Sequence, residues 1–335
     1  MRTKEDYPTK KNYTFQSIFS QLIEGYIEEK RAVGYKFTKA PSLLKTFDKM
    51  VTEEGWEELS LSKNLVQKWT AKTPTETERN RAHRISAIRG LAQYMARLNY
   101  PAYIYPSGAI SIDRYSYIPY IFSESELKNI FAVCDLYPYT DASPNRHLML
   151  PILFRILYGC GLRISEALKL RLGDIDLKES TLLIRETKFG KQRIVPMAGS
   201  VTERCRKYMG QVHGIRRGDN PFLFPSPLGG RYGVDTIYSL FRNIIWKAGI
   251  SHSGKGPRVH DFRHTFAVHC LKNWVLAKED VTNLLPYLSV YLGHVDLRGT
   301  QHYLRLTADL YPDIVASVEQ NFSMLIPEVS QNEAD

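Results

Sequence analysis

Along the first hundred residues, apolar positions recur at the three- and four-residue spacing of helices. Phe15, Ile18, Phe19, Leu22, Tyr26 and Ile27 form one stripe, which predicts a helix over about 13–34 with Gly34 as its stop. Leu43, Leu44, Phe47, Met50 and Val51 predict a second helix over about 41–54, closed by Gly55. Ser62 suits the N-cap of a short third helix over about 62–71, whose apolar residues are Leu65, Val66 and Trp69. A fourth, over about 76–98, lines up Ile85, Ile88, Leu91, Ala92 and Met95. Its first turns hold Arg79, Arg81 and Arg84, with Arg89 a little later. The whole is a helical bundle with one arginine-rich helix, a face for solvent or for phosphate groups.

From Asn99 to about Pro119 the period lapses, and Pro101, Pro106, Gly108 and Pro119 break any helix. A second periodic region opens on the capping box Ser123-Glu124-Ser125-Glu126, ahead of Leu127, Ile130 and Phe131. A long apolar helix over Leu148 to Tyr158 leads to Gly159-Cys160-Gly161, and another helix starts near Ile164. Thr181 to Arg185 and Arg193 to Pro196 alternate as strands, so they predict a hairpin whose tip is Lys188-Phe189-Gly190-Lys191. Helical patterns follow at about 199–210, 234–248, 260–274 and 278–291, and the stretch Tyr311 to Met324 ends in an apolar patch, Met324 to Ile326. The expected organisation is a helical domain over 13–105, a linker over 106–119, a second domain over 120–325 and a tail over 326–335. The second domain is mainly α with a small antiparallel β-sheet.

Composition narrows the partner. A length of 335 residues suits two domains. The net charge of +10 is shared by both halves and favours a polyanion. Cys134, Cys160, Cys205 and Cys270 lack metal or disulfide spacing, which fits a reducing compartment. No apolar h-region follows Met1, and the longest apolar run is broken by Arg155, so a soluble cytoplasmic protein is expected.

The residues that could carry chemistry are spread over four places. His260 and Arg263 are three apart, a spacing that shares one helix face. His294 follows a Leu-Gly step, and Tyr303 comes nine residues later among 21 tyrosines. Arg163 follows a glycine pair at a helix start, either as an anion ligand or in a surface pair with Glu166. Lys188 and Lys191 are turn lysines, solvated or reaching into a groove. His264 is expected to be a helix histidine satisfied by a backbone or carboxylate partner. Metal binding by His260, His264 and His269 is disfavoured, since no His-Glu-x-x-His occurs and Arg263 would repel a cation.

Taken in order, Gly161-Leu162-Arg163-Ile164-Ser165-Glu166-Ala167-Leu168, the Lys188 hairpin ending Arg193-Ile194-Val195-Pro196, His260-Asp261-Phe262-Arg263-His264-Thr265-Phe266-Ala267, Leu292-Gly293-His294 and Tyr303 resemble the tyrosine recombinases of phage-integrase type. The likeness is strong over about 120–325 and only general over the N-terminal bundle, which resembles that family's core-binding domain. The resemblance implies a catalytic set of Arg163, Lys188, His260, Arg263, His294 and Tyr303. Tyr303 would be the nucleophile that forms a 3′-phosphotyrosyl bond, and Lys188, preferred over Lys191, the acid for the leaving 5′-oxygen. It further implies two domains clamped around a double-stranded DNA site in a homo-tetramer, alone or with sister recombinases or accessory proteins. No metal, ATP or other cofactor is implied. Phosphate contacts from Arg79, Arg81, Arg84 and Lys191 are expected as well. The alternatives are a type IB topoisomerase-like nicking–closing enzyme, a telomere resolvase and a catalytically silent DNA-binding accessory factor.

Overall fold

A computed structural model describes residues 13–35, 37–108, 110, 118–185, 192–214, 221–254, 256–294 and 297–310. The hairpin tip with Lys188 and Lys191, and the stretch from Tyr311 through the tail, lie outside these residues. The chain divides after Tyr117 into two compact units.

The first unit contains α1 (Ser20–Ala32), α2 (Lys39–Glu53), α3 (Lys63–Thr70) and α4 (Glu78–Arg97). Phe19, Ile23, Leu44, Phe47, Leu65, Ile88, Leu91 and Met95 are completely buried between them. Helix α1 starts later than its apolar stripe predicts. The buried Asp48 carboxylate of α2 accepts the Ser17 N–H at 2.8 Å and the Gln16 N–H at 3.0 Å. Those N–H groups are therefore held outside the helix. Ile18, ahead of the first turn, is 39% exposed, and Ile23 takes the core position instead. Ser62 and Thr77 cap α3 and α4 by accepting from Leu65 N–H and Asn80 N–H. Beyond α4 the chain runs back along this unit, with Leu61 N–H bonded to Pro101 O and Tyr103 N–H to Leu61 O.

The second unit contains α5 (Glu124–Asp135), α6 (Arg146–Gly159), the single turn α7 (Ile164–Ala167), α8 (Gly199–His213), α9 (Val234–Lys247), α10 (Asp261–Leu276), α11 (Val281–Leu292) and α12 (Arg298–Leu310). The capping box of Ser123 and Glu126 is formed. Strands β1 (Ile175–Asp176), β2 (Thr181–Ile184) and β3 (Arg193–Pro196) make an antiparallel sheet in the order β1-β2-β3. Leu182 pairs with Val195 and Ile184 with Arg193, so Leu182, Ile184 and Val195 face the core. Strand β1 was not expected, because two residues are too few to show a period.

Two features of this core position the helices that carry the candidate residues. Phe262 packs against Phe122, Phe154 and Phe241 at ring distances of 5.0, 5.4 and 5.8 Å, fixing the first turn of α10. Thr265, on the next turn, accepts the Phe122 N–H at 3.0 Å. A second cluster joins Ala267, Val268 and Leu271 of α10 to Leu285, Leu288 and Leu292 of α11 and to Tyr303 and Leu306 of α12. Among the described residues no helix is long and apolar enough to cross a membrane.

Candidate active site

The turn before α7 brings in the first arginine. Gly161 sits at φ +57°, and a Cβ there would lie 2.6 Å from Phe266 Cδ1 and 2.9 Å from Leu292 Cδ2, so only glycine fits. Arg163 follows it as the residue preceding α7. Its backbone N–H and its guanidinium both bond to the Glu166 carboxylate, at 3.0 and 2.8 Å. The same carboxylate takes two bonds from Arg193 of β3, at 3.1 and 2.9 Å, and Arg193 Nε bonds to Tyr291 O at 2.9 Å. Burial alone would raise the Glu166 carboxyl, but the bonds and charge of Arg193, helped by Arg163, bring it down to about 2. One anion thus holds two arginines and leaves a net positive charge.

Helix α10 supplies the second arginine. Arg263 is 1% exposed and donates to Gly161 O at 2.9 Å and Leu292 O at 2.6 Å. Its guanidinium therefore ties together the starts and ends of three separate elements. Burial, and then the Arg163 charge, push it down to about 10, which keeps it cationic at neutral pH. His260 immediately precedes the helix with helical dihedrals, one edge open to solvent. Confinement among its neighbours, then the charges of Arg263 and Arg163, push its imidazole down to about 4. His264, one turn on, stands edge-on to His260 with ring centres 4.8 Å apart.

The end of α11 and the start of α12 complete the group. Gly293 takes φ +66°, and a Cβ there would meet the Arg193 guanidinium at 2.8 Å. The turn delivers His294, whose Nδ1 is 2.7 Å from the Oγ1 of the buried Thr300. Its ring stacks over Tyr303 at 6.0 Å. Tyr303 lies on the inner face of α12, 3% exposed, with its hydroxyl 3.0 Å from His264 Nδ1. Burial raises the phenol above its ordinary value, against the opposing pull of Arg263 and Arg163.

Arg163, His260, Arg263, His294 and Tyr303 are therefore brought into one cluster from four stretches of chain. The expected partner of His264 is corrected: it is the Tyr303 phenol, in place of a backbone or carboxylate group. Arg81 and Arg84 each make bonds within the bundle. Arg81 Nε bonds to Thr70 O at 2.9 Å, while Arg84 bonds to Trp69 O, Ala71 O and the Glu76 carboxylate. Both close the carboxyl end of α3, whose last carbonyls have no partner within the helix. Arg79 is exposed. Among the described residues no group of three or more His, Cys, Asp or Glu is arranged to hold a metal.

Residues 121–309 match the model of the phage integrase family. The chain belongs to that family. This member of the phage integrases is 31% identical over 320 residues to the protein named "Putative integrase/recombinase y4rB" of Sinorhizobium fredii, covering 91% of this chain and 98% of that one. It is 34% identical over 154 residues to the tyrosine recombinase XerC of Chromobacterium violaceum, covering 46% and 47% of the two chains. In fold it is similar to the XerH site-specific recombinase bound to a palindromic difH substrate in a post-cleavage complex. That likeness has a TM-score of 0.65 at 19% identity and covers 89% of this chain and 84% of that one.

Arg193, Thr300 and His264 support this integrase's cluster without having been singled out for it. Arg193 and His264 fall inside the motifs, but a strand arginine or a helix histidine gives no sign of its partner. Thr300 has no signal at all, because its bond to His294 spans the start of α12.

Proposed function

We propose that this chain is a site-specific DNA recombinase that cleaves and rejoins duplex DNA through a covalent link to Tyr303. The observation that carries this reading is the convergence of the buried Tyr303 hydroxyl with two arginines, Arg163 and Arg263, and with His260, His264 and His294 in one cluster. In the reaction the Tyr303 oxygen attacks the scissile phosphorus in line, the Oη–P bond forms and the P–O5′ bond breaks. Arg163 and Arg263 neutralise the charge that grows on the non-bridging oxygens. His260 and His294 hydrogen-bond the phosphate and take part in proton movement, and Lys188 gives a proton to the departing 5′-oxygen. The 3′-phosphotyrosine keeps the energy of the broken bond, so the reverse attack by a 5′-hydroxyl rejoins strands without ATP.

The catalytic unit is residues 120–325. The helical bundle over 13–105 serves as a second DNA-binding domain, the two closing as a clamp on one recombination site. Four copies exchange strands on two such sites. Exposed Arg79 on the bundle and Lys191, three residues after Lys188 in sequence, contribute phosphate contacts, and the net charge of +10 supplies the general attraction.

The test is a covalent trap. The protein is incubated with nicked suicide duplexes drawn from a pool that includes the DNA flanking its own gene, and adducts are resolved on a denaturing gel. Wild type forms a protein–DNA adduct and Tyr303→Phe forms none. Tight specific binding with no adduct would replace this reading by that of an accessory DNA-binding factor. An adduct that survives Tyr303→Phe would place the nucleophile elsewhere.

A further inference from the structure

The geometry points to His264 as the group that takes the proton from the Tyr303 hydroxyl when the strand is cut. This rests on the recombinase reading and adds a residue to the chemistry.

The hydroxyl and the imidazole are 3.0 Å apart across the α10–α12 contact. Their directions follow from what each group is. The buried phenol stays protonated, because burial outweighs the pull of Arg263 and Arg163. His264 is withdrawn from solvent and lies close to His260, Arg263, His302 and His294, which together hold its imidazole unprotonated, down at about 3. A protonated phenol beside a neutral imidazole makes the hydroxyl the donor and Nδ1 the acceptor. Arg263, which acts on the same phenol, favours the oxygen as it gains negative charge.

His260 is placed differently. Its ring approaches His264 rather than Tyr303, at 4.8 Å between centres, and one edge is open. It is left to face the phosphate, while His264 stands on the nucleophile.

The step balances without another reactant. As Oη bonds to phosphorus, the Oη–H proton passes to His264 Nδ1. The P–O5′ pair leaves with the 5′-oxygen, which is protonated by the general acid. In rejoining, the Oη–P bond breaks and the imidazolium returns its proton to Oη. The free site favours the unprotonated ring because withdrawal from solvent penalises its charge and the Arg263 cation lies close. A bound phosphodiester adds the negative charge that makes the imidazolium acceptable at the moment of transfer. The half-buried position of His264 keeps bulk water from replacing it as acceptor.

The test uses single-turnover cleavage of the suicide duplex that traps the wild-type protein, with duplex binding and thermal unfolding measured alongside. His264→Asn keeps a polar atom close to the Nδ1 position and has no basic nitrogen. Its cleavage rate is expected to fall about 100-fold or more, with DNA binding retained. A second protein carries difluorotyrosine at position 303 in the His264→Asn background. This more acidic phenol needs less help to ionise, so it recovers a large part of the lost rate while changing the wild-type rate little. A loss caused only by altered packing is not recovered in that way. Should the shorter amide unsettle the fold, His264→Gln is read by the same two measurements. Cleavage by His264→Asn at the wild-type rate, or a loss that difluorotyrosine leaves unchanged, overturns the role of His264 and leaves the recombinase reading standing. Failure of the wild-type protein to form any adduct overturns that reading and this inference with it.

Discussion

Replacing Glu166 by glutamine removes one negative charge from a buried carboxylate that two arginines share, with almost no change in shape. The wild-type carboxyl titrates at about 2, against about 4.5 when it is free. That difference corresponds to about 3 kcal/mol of native-state stabilisation. Removing one partner of a buried ion pair gives the same scale by another route, about 3–5 kcal/mol. The sign follows from proton binding. The folded-state value is the lower one, so the contribution is complete above the unfolded value and is lost as pH falls through about 2. At pH 4 roughly 0.8 kcal/mol is already gone, because the unfolded chain has begun to take up the proton. Urea unfolding read by pulse proteolysis, which scores the second unit by its own fragment, measures the gap between wild type and Glu166→Gln. The expected gap is about 3 kcal/mol at pH 7 and smaller at pH 4. A gap under about 1 kcal/mol at pH 7, or one equal at both pH values, would refute the claim that this carboxylate anchors the arginines.

Shorter expectations accompany it. Gly161→Ala meets Phe266 and Leu292 at a left-handed backbone position and should cost roughly 2–4 kcal/mol. Gly173→Ala, where nothing lies within 4 Å of the new atom, should leave the melting temperature almost unchanged. Thr300→Val keeps the shape of the buried side chain but removes the oxygen bonded to His294; single-turnover cleavage should fall about 10-fold or more with DNA binding intact. With His260 at about 4 and His264 at about 3, both below the unfolded histidine value, their share of stability is present above about 6.5 and is withdrawn as pH falls towards those values. Imidazole carbon shifts should show the His264 ring not titrating between about pH 5.5 and 8; a midpoint near 6.5 for His264 would contradict its withdrawal from solvent beside Tyr303. Arg84→Met should lower the stability of the first unit by about 1–3 kcal/mol, since it strips partners from the carbonyls of Trp69 and Ala71, and Arg79→Met should not. Thermal unfolding of the two full-length variants distinguishes them.

Most elements were visible because an apolar period marks a helix that buries one face. The spans of α2, α3, α4, α5 and α9 follow from the spacing of their apolar residues, with Ser62 and Ser123 fixing two of the starts. Helix α12 is marked more faintly. Among its described side chains the buried ones are Thr300, Tyr303, Leu306 and Thr307, half of them hydroxyl-bearing threonine, so the inner face of the helix that carries Tyr303 holds few of the large aliphatic residues that mark the others. The start of α1 depends on Asp48, 31 residues from the Ser17 N–H it captures, and no local signal reports a bond of that span. The site divides in the same way. Arg163, His260, Arg263, His294 and Tyr303 stand in motifs that a family resemblance can find. The partners of those motifs are long-range: Arg193 reaches Glu166 across 27 residues and His264 reaches Tyr303 across 39. Residue type and spacing describe what a side chain can do, and only the fold decides what it meets.

The three oxygens that hold the two site arginines from a distance, those of Gly161, Leu292 and Gly293, belong to the main chain. Every amino acid carries that atom, so no exchange of side chain at these positions deletes the contact itself. What an exchange can alter is the course of the backbone, which the left-handed turns at Gly161 and Gly293 set. Two glycines, as much as the side chains packed round them, therefore set where the cationic pocket finds its acceptors.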